Sequence, residues 1–197
     1  MSALTDYFDE RSLWIARQIV NRGLAVMNVG HGGCDVPGCR CEPSPVPWSY
    51  TIGRVERDLP ELLIFSTCAT CSTKLCNWVD ERDVAGEGLV PDVVVQYGSG
   101  ALIKLVPVPI EWLVREGDDI FGQWIGHYAN GRDVLEPPDV LQIVWADANG
   151  RFPDDTGCIP DVVAQQPILR NRPDWAPPPE RQPNRAERRR RPPRRSR

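Results

Sequence analysis

The irregular stretch at residues 30–47 constrains this chain most, because it separates two segments that are both predicted to be strands. It contains four prolines and three cysteines within 18 residues, and prolines at that density exclude a helix or a regular strand. The apolar segment 24–29 before it and the segment 48–53 after it are typical of buried strands. An irregular loop of this length is uncommon in a compact domain unless something pins it.

The remaining segments predict a mixed α+β fold. Apolar periodicity and capping residues indicate helices ending near Arg22, over 72–83, and in pieces within 110–128. Most strand connections are short, which favours antiparallel pairing. We therefore expect one domain over residues 1–172, an insertion at 30–47, and a largely antiparallel sheet flanked by helices. Further strands are predicted at 61–66, 92–98, 101–109 and 140–147.

Charge divides the chain into an acidic body and a basic tail. The whole chain carries −4, whereas residues 177–197 contain nine arginines against two glutamates. That tail carries +7, so the other 176 residues carry −11. From Pro173 onward proline and arginine dominate and apolar residues become rare, so residues 173–197 are expected to be disordered.

The arginines of the tail predict contacts with phosphate groups. Arginine binds phosphate bidentately, and each neutralised phosphate releases counterions, which gives salt-sensitive binding that is independent of base sequence. The alternatives are binding to the acidic body, a solubility role, or binding to an acidic surface on a partner protein. The residues predicted to bind nucleic acid are Arg185, Arg188, Arg189, Arg190, Arg191, Arg194, Arg195 and Arg197.

Five cysteines are concentrated in two loops that predict a zinc site. Zinc takes four sulfur or nitrogen ligands in a tetrahedron at about 2.0–2.3 Å, often from two short loops that face each other. If segments 48–53 and 61–66 pair antiparallel, the first loop lies beside the second. The ligands for this tentative zinc are drawn from His31, Cys34, Cys39, Cys41, Cys68 and Cys71.

The same cysteines allow other chemistry. A strand, then CxxC, then a helix is the order of thioredoxin-like sites, in which the helix N-terminus stabilises a thiolate at Cys68 or Cys71. An iron–sulfur cluster could use the same ligands, and the thiols could also be unligated. Cys76 and Cys158 are predicted to be buried small residues rather than ligands.

The cysteine count and the apolar pattern favour a cytoplasmic location. Seven cysteines is an odd number, so complete internal disulfide pairing is excluded. The N-terminal residues lack the basic and apolar regions of a signal peptide. No apolar run approaches the roughly 20 residues that a membrane helix requires, so no membrane association is expected.

Four segments together resemble the domain-of-unknown-function 4262 family. They are WSYTIG at 48–53, PELLIF at 60–65, LQIVWADANGRFPDD at 141–155 and QQPIL at 165–169. The signature of that family has a YTIGL-like strand, an hPEL-like segment, a QxxWPDxxGxFPW-like stretch and QPxL. Arg54 stands where the signature usually has leucine, and Ala146 and Asp154 stand where proline and tryptophan are common.

The resemblance covers roughly residues 12–170 and implies the fold as a unit. The family is known mainly from bacteria, actinobacteria among them, and from phages, so it implies a phage or actinobacterial origin. It has no established activity, and the resemblance therefore implies no reaction.

Residues of the closing segment could form the rim of a pocket. Trp145, Asp147 and Arg151, with Tyr50 of the predicted strand at 48–53, combine an acid and a base with aromatic rings. Alternatively, Asp147 accepts hydrogen bonds within the turn that follows it. Hydrolase, P-loop and zincin motifs do not occur in the sequence.

The favoured function is a non-catalytic binding or regulatory module that engages nucleic acid or a protein. The alternative is an enzyme or redox protein. It would use a pocket near strands 48–53 and 140–147, or the thiols of Cys68 and Cys71.

Overall fold

The computed structural model describes residues 3–30, 46–65, 67–109, 124, 127–128 and 138–171, with side chains described from residue 9 onward. The helices are α1 (Ala3–Arg22), α2 (Ala69–Val84) and α3 (Pro160–Gln165), with 3₁₀ turns at Arg54–Arg57 and Leu169–Asn171. The strands are β1 (Ala25–Val29), β2 (Trp48–Ile52), β3 (Glu61–Phe65), β4 (Val95–Tyr97), β5 (Ala101–Pro107) and β6 (Val140–Trp145).

The six strands form one sheet in the order β1-β2-β3-β6-β5-β4. Every neighbouring pair is antiparallel except the central pair of β3 and β6, which is parallel. The predicted α+β class with a largely antiparallel sheet is therefore confirmed. The parallel pair arises because α2 and the β4–β5 hairpin lie between β3 and β6 in the chain, so β6 joins the sheet beside β3 in the same direction.

Each face of the sheet carries its own hydrophobic core. On one face Ile15 of α1 packs with Tyr50, Ile52 and Leu63. On the other face side chains of α2 pack against the alternate residues of the strands. That second core contains Leu75, Cys76, Val79, Leu62, Ile64, Ile103, Leu105 and Ile143. The sheet is thus held between one long helix on each side.

The predicted strands all occur, within a few residues at their ends. Helix α2 begins at Ala69 rather than at residue 72, because Cys68 serves as its N-cap. The 3₁₀ turn at Arg54–Arg57 and helix α3 were not predicted, since each is too short to show apolar periodicity. The helical pieces predicted within 110–128 lie mostly outside the described residues, as does the predicted disordered tail at 173–197.

In the part of the chain that the structure describes, no helix combines the length and the apolarity needed to cross a membrane.

Candidate functional site

At the end of the sheet that leads to the CxxC pair, β1 and β3 end and β2 begins. Val29 at the end of β1 pairs with Trp48 at the start of β2, and Trp48 pairs with Phe65 at the end of β3. Neighbouring strands lie about 4.8 Å apart, so these three residues fall within about 10 Å of one another. We call Val29, Trp48 and Phe65 the cysteine edge, because the segment 31–45 and the loop to Cys68 both start there.

Cys68 and Cys71 are exposed at the N-terminus of α2. The Sγ atom of Cys68 caps the helix by accepting a hydrogen bond from the backbone N–H of Cys71 at 3.1 Å. Hydrogen bonding between the two thiols lowers the pKa of Cys68 and raises the pKa of Cys71. Cys68 is therefore the more acidic thiol of the pair.

The other two described cysteines are buried, as predicted. Cys76 lies on α2 and is fully enclosed in the core, and this burial raises the pKa of its thiol to about 12. Cys158 is buried near the turn after β6, and burial raises the pKa of its thiol as well. Neither thiol is suited to ligate a metal at the cysteine edge.

The remaining predicted metal ligands and the predicted nucleic-acid-binding residues lie outside the described residues. Within the described ranges, no three His, Cys, Asp or Glu side chains come together as a metal site. Cys68 and Cys71 are thus the described part of the predicted zinc site. The residues that fall outside are His31, Cys34, Cys39 and Cys41, and the eight arginines from Arg185 to Arg197.

Of the four residues predicted to form a pocket rim, Asp147 and Arg151 are in contact, whereas Tyr50 and Trp145 lie on opposite faces of the sheet. Tyr50 is buried in the core on the α1 face. Trp145 packs against the core on the α2 face, and its indole N–H donates to the Phe65 carbonyl at 3.4 Å. The exposed Arg151 donates from its guanidinium to the Gly157 carbonyl at 2.7 Å.

Asp147 organises the turn after β6. Its carboxylate accepts hydrogen bonds from the backbone N–H groups of Arg151 at 2.9 Å, Ile159 at 3.0 Å and Asn149 at 2.8 Å. These bonds, the one from Arg151 foremost, lower the pKa of Asp147. All three donors are backbone groups of the turn and of the residues that return to it. The geometry therefore corresponds to the alternative in which Asp147 is a turn residue.

A buried carboxylate, Glu61, joins the first two segments of the family signature. It accepts hydrogen bonds from the Thr51 hydroxyl at 2.6 Å, the Gly53 N–H at 2.9 Å and the Trp124 indole N–H at 3.2 Å. Burial raises the pKa of Glu61 although these donors oppose the shift. Gly53 has a φ of 114°, and a Cβ there would lie 2.7 Å from Ile19 Cγ1, so only glycine fits.

Two glutamines join the last two segments of the signature. Gln142 donates to the Pro167 carbonyl at 2.8 Å and accepts from the Leu169 N–H at 3.1 Å. Gln166 brackets the backbone of Trp145, accepting from its N–H at 3.0 Å and donating to its carbonyl at 2.9 Å. These four bonds fix the chain after α3 to strand β6.

A protein-family model covers most of the chain. The sequence model described as Domain of unknown function (DUF4262) matches residues 18–159. The chain belongs to the DUF4262 family. No curated protein shows a significant match to it, and neither does any solved structure. In this DUF4262 chain several polar side chains of the signature segments make internal hydrogen bonds, among them those of Thr51, Gln142 and Gln166.

Arg54, where this DUF4262 chain departs from the signature, forms a buried ionic network. Its side chain is fully buried and contacts Asp80 at 2.7 Å, Asp83 at 2.5 Å and the Pro60 carbonyl at 2.7 Å. Arg57 adds a second cation to Asp80 at 2.8 Å. The network attaches the 3₁₀ turn after β2 to helix α2. It fixes the end of the sheet opposite the cysteine edge.

An open groove of about 600 Å³ lies at that opposite end. Its polar lining is acidic, with Asp58, Asp83 and Asp139, and none of its described lining residues is basic. We call it the proline groove, since three of its apolar residues are prolines. Those apolar residues include Leu59, Pro60, Leu89, Pro91, Pro107 and Leu141.

Sequence reasoning did not single out Glu61, and it identified Arg54 only as a departure from the family signature. A glutamate at the start of an apolar strand is a signal that could have indicated a buried acceptor, because charged residues are rarely fully buried without partners. For Arg54 the signal was its position in place of leucine, which placed a cation where the signature has an apolar side chain. Its partners on α2 lie 26 and 29 residues away and could not be paired with it from the sequence.

Proposed function

We propose that this chain is a non-catalytic binding module in which zinc closes the cysteine edge and the arginine-rich tail engages nucleic acid. The register of β1, β2 and β3 carries the zinc part of the proposal. In this register Val29, before the cysteine-rich segment, and Trp48, after it, lie beside the end of β3, the strand that leads to Cys68.

Distances along the chain allow the predicted ligands to meet. Cys34 follows Val29 by five residues, which span at most about 17 Å when extended. Cys41 precedes Trp48 by seven residues and has a longer reach. Both cysteines therefore have enough chain to approach Cys68 from the cysteine edge.

The two described thiols suit a zinc site in exposure and chemistry. Zinc binds thiolate, and the lowered pKa of Cys68 favours that form before the metal arrives. Cys71 is exposed beside it and would lose its proton on ligation. Two further ligands are required for a closed tetrahedral site, and His31, Cys34, Cys39 and Cys41 are the candidates.

The tail supports the nucleic-acid part of the proposal through its charge alone. Nine arginines in 21 residues match the phosphate backbone, whereas the acidic remainder of the chain repels it. Phosphate contacts carry no base information, so the proposed binding is non-specific. An acidic protein surface is the competing partner for the same charge.

A thiol–disulfide function is the second candidate, because the bond from the Cys71 N–H to Cys68 Sγ holds the two sulfur-bearing residues together. Cys68 thiolate would attack a small disulfide such as oxidised glutathione and release one glutathione thiolate. Cys71 would then displace the second glutathione from Cys68, which leaves a Cys68–Cys71 disulfide and two reduced glutathiones.

Elemental analysis of the purified protein tests the zinc proposal. We expect about one zinc per chain in the unmodified protein. The Cys68→Ser/Cys71→Ser variant should contain little or no zinc, because two of the four ligands are removed. Thiol titration should detect additional reactive thiols after chelation. Cys158→Ser is the matched control and should retain the metal, since that thiol is buried whereas Cys68 and Cys71 are exposed.

Two results would contradict the zinc proposal. One is a protein that stays metal-free after zinc is added, and the other is stoichiometric zinc that survives in the Cys68→Ser/Cys71→Ser variant. If the metal-free protein also loses two hydrogens from the peptide that contains Cys68 and Cys71 on treatment with oxidised glutathione, the thiol–disulfide candidate is favoured.

Binding to a generic DNA duplex at several salt concentrations tests the tail. With about seven phosphate contacts, the logarithm of the binding constant should fall with the logarithm of salt concentration at a slope near −6. Deleting residues 177–197 should remove this salt-dependent binding. Replacing the eight arginines from Arg185 to Arg197 with glutamine should do the same at constant tail length. Undiminished binding by either variant would refute the role of the tail.

A further inference from the structure

The described chain ends beside the proline groove. Arg170 pairs with Asp92 at 2.8 Å, and Asp92 directly follows Pro91 of the groove. Leu169 belongs to the same hydrophobic cluster as Val108 and Val140, which also line the groove. The residues after Asn171 therefore start close to this groove.

The groove has two exposed carboxylates that are available to a ligand. Asp83 is already engaged by Arg54 and by the Leu89 N–H. Asp58 and Asp139 are exposed, and within the described part of the chain their carboxylates have no ion pair. The groove thus combines an apolar wall with acidic positions that attract a cation.

The segment that follows Asn171 is apolar in its middle and charged at its ends. Residues 172–181 read RPDWAPPPER, with one tryptophan, four prolines and two terminal arginines, whose charges are balanced by Asp174 and Glu180. Trp175 is four residues beyond Asn171, a reach of at most about 14 Å. A single tryptophan side chain can bury a large apolar area on docking. Proline restricts the conformations of the unbound segment, so less conformational entropy is lost when it docks.

We propose that the proline groove binds residues 172–181 of the same chain. Trp175 packs on the apolar wall formed by Leu59, Pro91 and Leu141, and a terminal arginine faces Asp58 or Asp139. Because the segment is tethered next to the groove, its effective concentration is near the millimolar range, and weak contacts suffice. Docking fixes the point from which the arginine-rich end of the tail leaves the domain, whether or not those arginines bind nucleic acid.

Oxidative footprinting of the full-length protein tests this docking. The measured quantity is the rate at which each tryptophan is oxidised by hydroxyl radicals, read from peptide masses. Trp14, which is 40% exposed on α1, is the internal reference. With the segment docked at millimolar effective concentration, Trp175 should be oxidised about fivefold more slowly than Trp14.

Two groove variants and one control make the test specific. Leu59→Arg places a charge on the apolar wall, and Asp139→Arg reverses an exposed charge, so both should bring the oxidation rate of Trp175 close to that of Trp14. Asp161→Arg reverses an exposed charge on α3 and should leave Trp175 protected. Unchanged circular dichroism spectra would show that the variants are folded.

Three outcomes would overturn the proposal. Trp175 that is oxidised as fast as Trp14 in the unmodified protein would show that it does not dock. Protection that persists in both groove variants would place Trp175 elsewhere. Protection that disappears on dilution would show that the groove takes the segment of a second copy instead. DNA binding, measured separately on the same variants, has no bearing on these outcomes.

Discussion

Replacing Arg54 with leucine, the residue usual at this position of the family signature, should lower the free energy of unfolding by about 3–5 kcal/mol. The guanidinium is fully buried between Asp80 and Asp83. Without it, Asp83 remains largely buried with a backbone N–H as its described partner, and Asp80 retains Arg57 alone. Urea unfolding followed by tryptophan fluorescence measures the change.

Two control variants show whether the loss in the free energy of unfolding comes from the buried network or from the removal of any arginine. Arg82→Leu removes an exposed cation that pairs with Glu87 and lies 4.4 Å from the Trp78 ring, so it should cost less than about 1.5 kcal/mol. Adding Asp83→Asn to Arg54→Leu should restore part of the loss, because it removes an uncompensated buried charge. A loss for Arg54→Leu no larger than that for Arg82→Leu would contradict the proposed importance of the network.

The strands could be predicted from sequence because each buries alternate or continuous apolar residues between turn signals. Segments such as 140–147 and the hairpin around residues 98–100 show this directly. The order of strands in the sheet could not be predicted. In the parallel pairing of β3 with β6, the paired residues are 79 positions apart in the sequence, and the local sequence pattern does not encode such a contact.

The candidate site could be predicted only in part. The antiparallel pairing of β2 with β3 followed from a short connection, and it correctly placed the start of β2 beside the end of β3. The pocket rim could not be judged from spacing, since Tyr50 and Trp145 project from opposite faces of a sheet whose strand order was unknown. The asymmetry between Cys68 and Cys71 depends on a start of α2 three residues earlier than apolar periodicity indicated.

The family signature has a physical explanation that only the structure supplies. Thr51 and Gly53 of one segment bind Glu61 of the next, although ten and eight residues separate them from it. Gln142 likewise holds Pro167, 25 residues away. Residue types that suggest a polar active site in the sequence are thus used to satisfy buried backbone and side-chain groups.

Removing the buried carboxylate of Glu61 should cost about 3 kcal/mol or more when alanine replaces it, because the donors of Thr51, Gly53 and Trp124 lose their acceptor in the core. Glu61→Gln should behave differently. Its amide oxygen can accept from Gly53 and Trp124, and its amide nitrogen can donate to the Thr51 hydroxyl. Unfolding by urea at a series of pH values compares the three proteins.

The pH dependence distinguishes the charge of Glu61 from its hydrogen bonds. Burial raises the pKa of Glu61 in the folded state, so the folded protein holds this proton more tightly than the unfolded chain. That contribution to stability is complete below the unfolded pKa of about 4.3 and is lost as pH rises through the folded pKa. Glu61→Gln has no such titration, so its stability relative to the unmodified protein should increase over this pH interval. A relative stability of Glu61→Gln that falls as pH rises, or a loss at neutral pH as large as that of Glu61→Ala, would show that the ionised carboxylate itself stabilises the fold.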